Sequence, residues 1–334
     1  MSKQRKIPTP SWERHGGVMD SSRARIYATV GVVLLVVAAV GLIGFGYLND
    51  WIQDQQRPGS TAVKVDDRNY TVNDFTERAK MYVKQNGGSG QAALVIPTLA
   101  TTLIEESILL TDASEKGVES TDDEVKAEMA KLLGITADDA NFDSVLQSEL
   151  DSSGLSKEEY TDMARANVLR EKTRTKFQEE LPATADSVHF LMIQVRDQAL
   201  ADDLKVQIDG GADFAALAAA NSIDPGTKDK GGDAGWVPRG VLLKAQEDLL
   251  FSLDAGETAV YPGQGSIYIY KLLEKDAAHA VDETQKPVLA TTEYTKWVTD
   301  KKDAAKVTND LDFSSGDAKK IKYVVTHANL TIGQ

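Results

Sequence analysis

The 334-residue chain is 42% hydrophobic and 26% charged, enough apolar material for two compact domains rather than one. It has no cysteine, which excludes disulfides, thiolate chemistry, cysteine-ligated zinc and a lipidated N-terminal cysteine. The net charge of −14 is uneven: Lys3, Arg5, Lys6, Arg14, Arg23 and Arg25 against Glu13 and Asp20 make residues 1–25 a +4 tail, leaving −18 on the remainder, a body that nucleic acid would repel.

Residues 26–48 contain no Asp, Glu, Lys, Arg or His. As a helix they span about 30 Å of hydrocarbon, with Tyr27, Tyr47 and Trp51 near the interfaces and the basic tail on the N-terminal side. This predicts a single-pass membrane anchor with a cytoplasmic N-terminus. A cleaved signal peptide has a shorter apolar run followed by small residues, whereas Phe45, Tyr47, Leu48 and Trp51 follow here. Residues 49–61 read as a polar linker.

Residues 62–70 alternate as a strand through Val63 and Val65, and Thr71 is placed to cap a helix running to about Lys84. After the break at Gly87-Gly88-Ser89-Gly90, Leu99, Leu103, Ile104 and Ile108 recur at helical spacing until Lys116-Gly117. Thr121-Asp122-Asp123-Glu124 and Ser156-Lys157-Glu158-Glu159 are capping boxes, opening helices to about Leu133 and about Glu180, with a shorter helix over 142–150 between them. Near the C-terminus, residues 289–307 read as a helix with Tyr294, Trp297 and Val298 on one side, and Ile321, Tyr323 and Val325 alternate as a last strand. These C-terminal residues are too few for a core of their own, so residues 277–334 are expected to dock on the helical region 62–183, with 184–276 inserted between.

The inserted stretch carries the sharpest signal. Val188-His189-Phe190-Leu191-Met192-Ile193 is a β-run, residues 198–208 are an amphipathic helix, and Asp213 caps a second helix through Phe214 and Leu217. Asn221-Ser222-Ile223-Asp224-Pro225 then leads to Gly231-Gly232-Asp233-Ala234-Gly235-Trp236, where Asp233 is read as a turn cap and Trp236 as a packing residue. Phe251-Ser252-Leu253-Asp254-Ala255-Gly256-Glu257 ends a helix, and residues 267–272 form a closing strand. A histidine in the first strand, "DF..LA...S", "GGD.GW" and "F.L..GE" follow one another in order, and this succession resembles the parvulin family of peptidyl-prolyl isomerases. The wider layout, helical regions flanking a small α/β domain, resembles the SurA and PrsA-like extracytoplasmic chaperones.

The resemblance implies an α+β fold: a mostly helical SurA-N-like region into which a parvulin domain with a four-stranded antiparallel sheet is inserted, behind one N-terminal transmembrane helix. It implies a peptidyl-prolyl cis-trans isomerase and foldase in a bacterial cell membrane, acting on unfolded or proline-containing polypeptides, with no cofactor and no metal. Carried onto this sequence, it assigns His189 and Asp224 as a hydrogen-bonded catalytic pair, Leu242 to the proline pocket and Ser222 to its polar rim. Gln246 falls where the family has an aromatic pocket floor, and Tyr268 where it has a second histidine. Both exchanges weaken the expected catalysis, since an amide is a poor ring-stacking surface and a phenol cannot share tautomer exchange. Two alternatives stay open: a non-catalytic chaperone that uses the groove only for binding, and an accessory subunit of a membrane complex.

Overall fold

A 36-residue helix, α1 (Ser21–Gln56), opens the structure, a computed structural model that describes residues 21–88 and 90–332. The basic tail up to position 20 and Ser89 of the glycine break lie outside the described residues. The helix runs through the residues read as linker, and only a 3₁₀ turn at Arg57–Gly59 separates it from the first strand. Residues 51–56 contain neither Gly nor Pro to end a helix, and Pro58 arrives only after them. Along α1, Leu35, Val37, Val40 and Phe45 are exposed. One unit ends at Ser60 and a second begins at Thr61.

In the second unit, β1 (Thr61–Val65) and β2 (Arg68–Thr71) form a hairpin in place of the single strand predicted over 62–70. Its turn holds Asp66 at φ 50°, a left-handed conformation that Asp tolerates better than most residues. Then come α2 (Val72–Gln85), α3 (Ala92–Asp112), α4 (Asp122–Leu133), α5 (Phe142–Ser153) and α6 (Lys157–Glu180). Three of these begin with reciprocal capping boxes, Thr71 with Asp74, Thr121 with Glu124 and Ser156 with Glu159, each pair satisfying two otherwise orphaned amides.

The chain continues through β3 (Thr184–Val195), α7 (Gln198–Asp209), α8 (Phe214–Asn221), β4 (Asp233–Pro238), α9 (Lys244–Ser252), β5 (Thr258–Pro262) and β6 (Ile267–Ala280). These strands make an antiparallel sheet in the order β4-β3-β6-β5. Last come α10 (Lys286–Ala304), β7 (Val307–Asn309) and α11 (Ala318–His327). Strand β7 pairs with β1, giving a second sheet, β2-β1-β7.

The strand predicted at Ile321, Tyr323 and Val325 is therefore wrong: those residues belong to α11. Asp317 caps that helix, its Oδ1 accepting from the amides of Lys319 at 2.8 Å and Lys320 at 3.3 Å. Ile321, Val324, Val325 and Ala328 supply the apolar face at spacings of three and four, and Tyr323 stacks on His327 one turn later. Their core is shared with Val63, Phe75 and Leu103 of the N-terminal half, so both ends of the second unit bury their apolar side chains together.

Two buried features of the second unit are sensitive to substitution. Arg78 and Glu106 form an ion pair whose side chains are 7% and 4% exposed. Tyr70 donates to Glu106 Oε1 at 3.2 Å and accepts from Ser107 at 3.3 Å, and burial together with the Glu106 charge pushes its phenol far above the ordinary tyrosine range. In the β3–β4 sheet, Gly232 sits at φ +86°, where a Cβ would come within 2.8 Å of the Met192 carbonyl oxygen and 2.9 Å of the Phe214 ring.

Glu106→Leu leaves a guanidinium buried without its partner and is expected to destabilise the protein by about 3–5 kcal/mol in urea unfolding, whereas Arg78→Met/Glu106→Leu recovers most of that loss. Gly232→Ala combines a strained φ with a backbone clash and is expected to lower stability by about 2 kcal/mol or more in the same assay.

Candidate functional site

Side chains alternate between the two faces of β3. Val188, Phe190 and Met192 pack in one cluster with Leu242, Tyr268 and Tyr270, whereas Leu191, Ile193 and Val195 pack beneath α7 and α8. The register sets Gln194 opposite Tyr268 and Met192 opposite Tyr270, and on the next strand Tyr261 opposite Tyr268. One partly exposed face thus gathers Met192, Gln194, Tyr261 and Tyr268 from the strands, with Leu242 and Gln246 from the loop and helix beside them.

The aromatic side chains of this face are held in place by polar contacts. The Tyr268 and Tyr270 rings stack at 5.9 Å and 8°, with Tyr261 at 6.3 Å from Tyr268. Gln194 Nε2 donates to Ser266 Oγ at 2.8 Å and reaches Tyr268 Oη at 3.5 Å. Gln246 Nε2 donates to Tyr270 Oη at 3.0 Å, which satisfies one face of the amide inside the wall. Tyr270 is 2% exposed, and burial, reinforced by Tyr268 and Tyr261, raises its phenol well above the usual value, so it stays neutral.

Three expected site residues make contacts other than those expected. His189 is bonded not to Asp224 but to Asp233, Nε2 to Oδ1 at 2.8 Å. Its position in the strand alternation puts it on the Leu191 and Ile193 face, opposite Leu242 and Tyr268. There it lies 5.5 Å from Trp236, its cross-strand partner, and Trp236 also carries a stacked His279 at 4.1 Å. Burial by itself raises the Asp233 carboxyl, but the Gly235 amide at 2.7 Å and His189 outweigh it and hold it below the ordinary range.

Asp224 is taken up by its own turn: Oδ2 accepts from the Thr227 amide at 2.8 Å and from Thr227 Oγ1 at 2.6 Å. Ser222, expected on the pocket rim, is fully buried, its Oγ accepting from the amides of Gln194 at 3.2 Å and Asp224 at 3.3 Å. It fixes the loop that follows α8 to the end of β3. Met192, Gln194 and Tyr261 lie on the Tyr268 face of the sheet as well, and no family motif pointed to them. A signal for two of them existed, since both lie an even number of residues from Phe190 in a strand that alternates.

Comparison with known proteins follows the same division of the chain. Residues 18–174 match the SurA-like N-terminal domain and residues 189–276 match the PPIC-type PPIase domain. The foldase protein PrsA of Caldanaerobacter subterraneus subsp. tengcongensis is 30% identical over 157 residues, 47% of this chain and 49% of that protein. The foldase protein PrsA of Geobacillus sp. (strain WCH70) is 24% identical over 296 residues, 86% of this chain and 94% of that one. Among solved structures, the peptidylprolyl isomerase PrsA of Bacillus anthracis aligns over 70% of this chain and 98% of its own, at 19% identity and a TM-score of 0.37. With a SurA-like N-terminal domain, a PPIC-type domain and a PrsA relative matching across both, the chain has the domain make-up of a parvulin-type, SurA/PrsA-like foldase.

Proposed function

We propose that this protein is a membrane-anchored, extracytoplasmic peptidyl-prolyl cis-trans isomerase that assists the folding of secreted, proline-containing polypeptides. The observation that carries the reading is the convergence of Met192, Leu242, Tyr261 and Tyr268 on one partly exposed face of the four-stranded sheet. X-Pro isomerisation crosses a barrier of roughly 18–20 kcal/mol, because twisting the C–N bond breaks amide resonance. The twisted amide is less polar than the planar one, so an apolar surface that grips the proline ring and excludes water favours it over the ground state. The Tyr268 hydroxyl and the Gln194 amide stand where they can orient the peptide beside that bond. The exposed side chains of Ile223 and Leu243 extend the apolar lip for flanking client residues.

Anchoring is supported by α1, whose residues 26–48 lack acidic and basic side chains and whose described apolar side chains face outward. The stretch Ala92–Lys116 is also long and apolar enough to cross a membrane, but 56% of its most apolar window is buried in the helical core, where it serves as packing. The basic tail argues for a cytoplasmic N-terminus and an external body.

A second reading, a chaperone that binds through the groove with little turnover, is favoured by one observation: the His189–Asp233 pair occupies the other face of the sheet. Exchange NMR on an Ala-Pro peptide with the full chain in detergent micelles separates the two. Leu242→Ala is expected to lower catalysed exchange about tenfold, the worth of losing an apolar wall in a proline pocket, while His189→Ala lowers it less than about threefold. An equal loss in both variants would move the chemistry to the imidazole, and wild-type exchange no faster than the uncatalysed rate would leave the binding-only chaperone.

The anchor is tested by fractionation. The full chain is expected to stay in the membrane pellet through alkaline carbonate and to leave it in mild detergent, and removal of residues 1–56 to release it. Recovery of the intact chain in the carbonate supernatant overturns the anchor.

A further inference from the structure

Helix α10 begins beyond residues 189–276, the span of the PPIC-type match, yet it touches the loop that carries the groove wall. Thr292 Oγ1 donates to the Gly240 carbonyl at 2.7 Å. Gly240 is at φ +90°, and a Cβ there would come within 3.3 Å of Leu289 Cδ2, so helix and loop are closely apposed. Gln285 Nε2 donates to the Trp236 carbonyl at 2.9 Å, four residues upstream of that glycine. Gln285, Leu289 and Thr292 are spaced by four and three residues, one stripe along the helix.

A neighbouring stripe faces the other way. Ala290, Tyr294 and Trp297 pack with Phe177 and Leu169 of the helical region, Arg174 donates to Thr291 at 2.8 Å, and Tyr294 bonds to Glu105. One helix is therefore embedded in the helical core along one side and holds the loop 239–243 along the other. Within the sheet domain the same loop is gripped by Arg239, which donates to Asp186 at 2.7 Å and lies over the Phe251 ring at 3.6 Å. Leu242, two residues past Gly240, is the loop's contribution to the groove.

We infer that Thr292 is a positioning residue for the isomerase groove: by fixing the Gly240 carbonyl it holds Leu242 against the tyrosine wall, so the groove is complete only with a helix supplied by the C-terminal segment. The inference deepens the proposed isomerase reading and rests on Leu242 lining the client groove. It makes α10 the physical link through which the helical region sets the shape of the groove.

The test compares wild type, Thr292→Val, Thr292→Ser and Leu242→Ala in the full chain in detergent micelles, using exchange NMR on the Ala-Pro peptide and titration of the same peptide for its Kd. Loss of one hydrogen bond predicts that Thr292→Val raises KM and Kd about three- to tenfold with kcat changed less than about twofold and Tm unchanged. Thr292→Ser keeps the hydroxyl and is expected to stay near wild type, while Leu242→Ala raises both constants at least as far as Thr292→Val. Wild-type KM and Kd in Thr292→Val, with Leu242→Ala impaired, overturn the positioning role and leave the groove standing. Wild-type constants in Leu242→Ala sink the groove reading and the positioning role with it. Equal losses in Thr292→Val and Thr292→Ser with a lowered Tm mean a merely structural contact and overturn the inference as well.

Discussion

Strand β3 sets the constraint on which the sheet domain depends. It is paired on both sides, with β4 and β6, and its successive side chains serve two different clusters. A slip of one residue would carry Ile193 and Val195 out from under α7 and α8 and expose them, so the register is strongly enforced. The same enforcement sorts the strand's remaining side chains between the two faces. Met192 and Gln194 are committed to the tyrosine side, and His189, an odd number of residues away, is committed to the side of Trp236 and Asp233.

The chain joins the sheet domain to the helical core through two adjacent strand ends. Thr184 at the start of β3 pairs with Ala280 at the end of β6, so the chain enters and leaves at one place. Helix α6 leads in and α10 leads out, and the two pack through Phe177 against Tyr294 in an edge-to-face contact at 6.5 Å. An insertion built this way adds a domain without opening the host core, because the closing distance between its ends is short. The host core closes separately, through the β1–β7 ladder and the burial of Val324 and Leu330 beside Val63 and Phe75.

Polar groups inside the two regions do different work. Arg78, Glu106 and Tyr70 form a buried network in the helical core, where every member loses much if its partner is removed. On the tyrosine face of the sheet, hydrogen bonds from Gln194 to Tyr268 and from Gln246 to Tyr270 hold aromatic rings rather than carry charge. A wall of stacked, hydrogen-bonded tyrosines suits a reaction that makes and breaks no covalent bond.

Much of the architecture was legible from local patterns. Thr71, Thr121 and Ser156 declared their helices because a capping box is satisfied within four consecutive residues, and the glycine-rich Gly231–Trp236 segment marked the sheet domain because Gly232 tolerates a backbone position that a side chain would block. The sequence also named Leu242, Gln246 and Tyr268, which lie on one side of the sheet, since order and spacing along the chain are what a family motif records. Residues 318–327 misled because Ile321, Tyr323 and Val325 fit an alternation as well as a helical stripe, and only packing against Val63 and Phe75 chooses between them. The partner of His189 was equally out of reach. Asp224 and Asp233 are both near it in the motif order, but the hydrogen bond goes to the carboxylate that the β3–β4 pairing brings to the same face. Local hydrogen bonding is written in the sequence; which faces meet is decided by strands and helices far apart in the chain, and only the folded packing settles it.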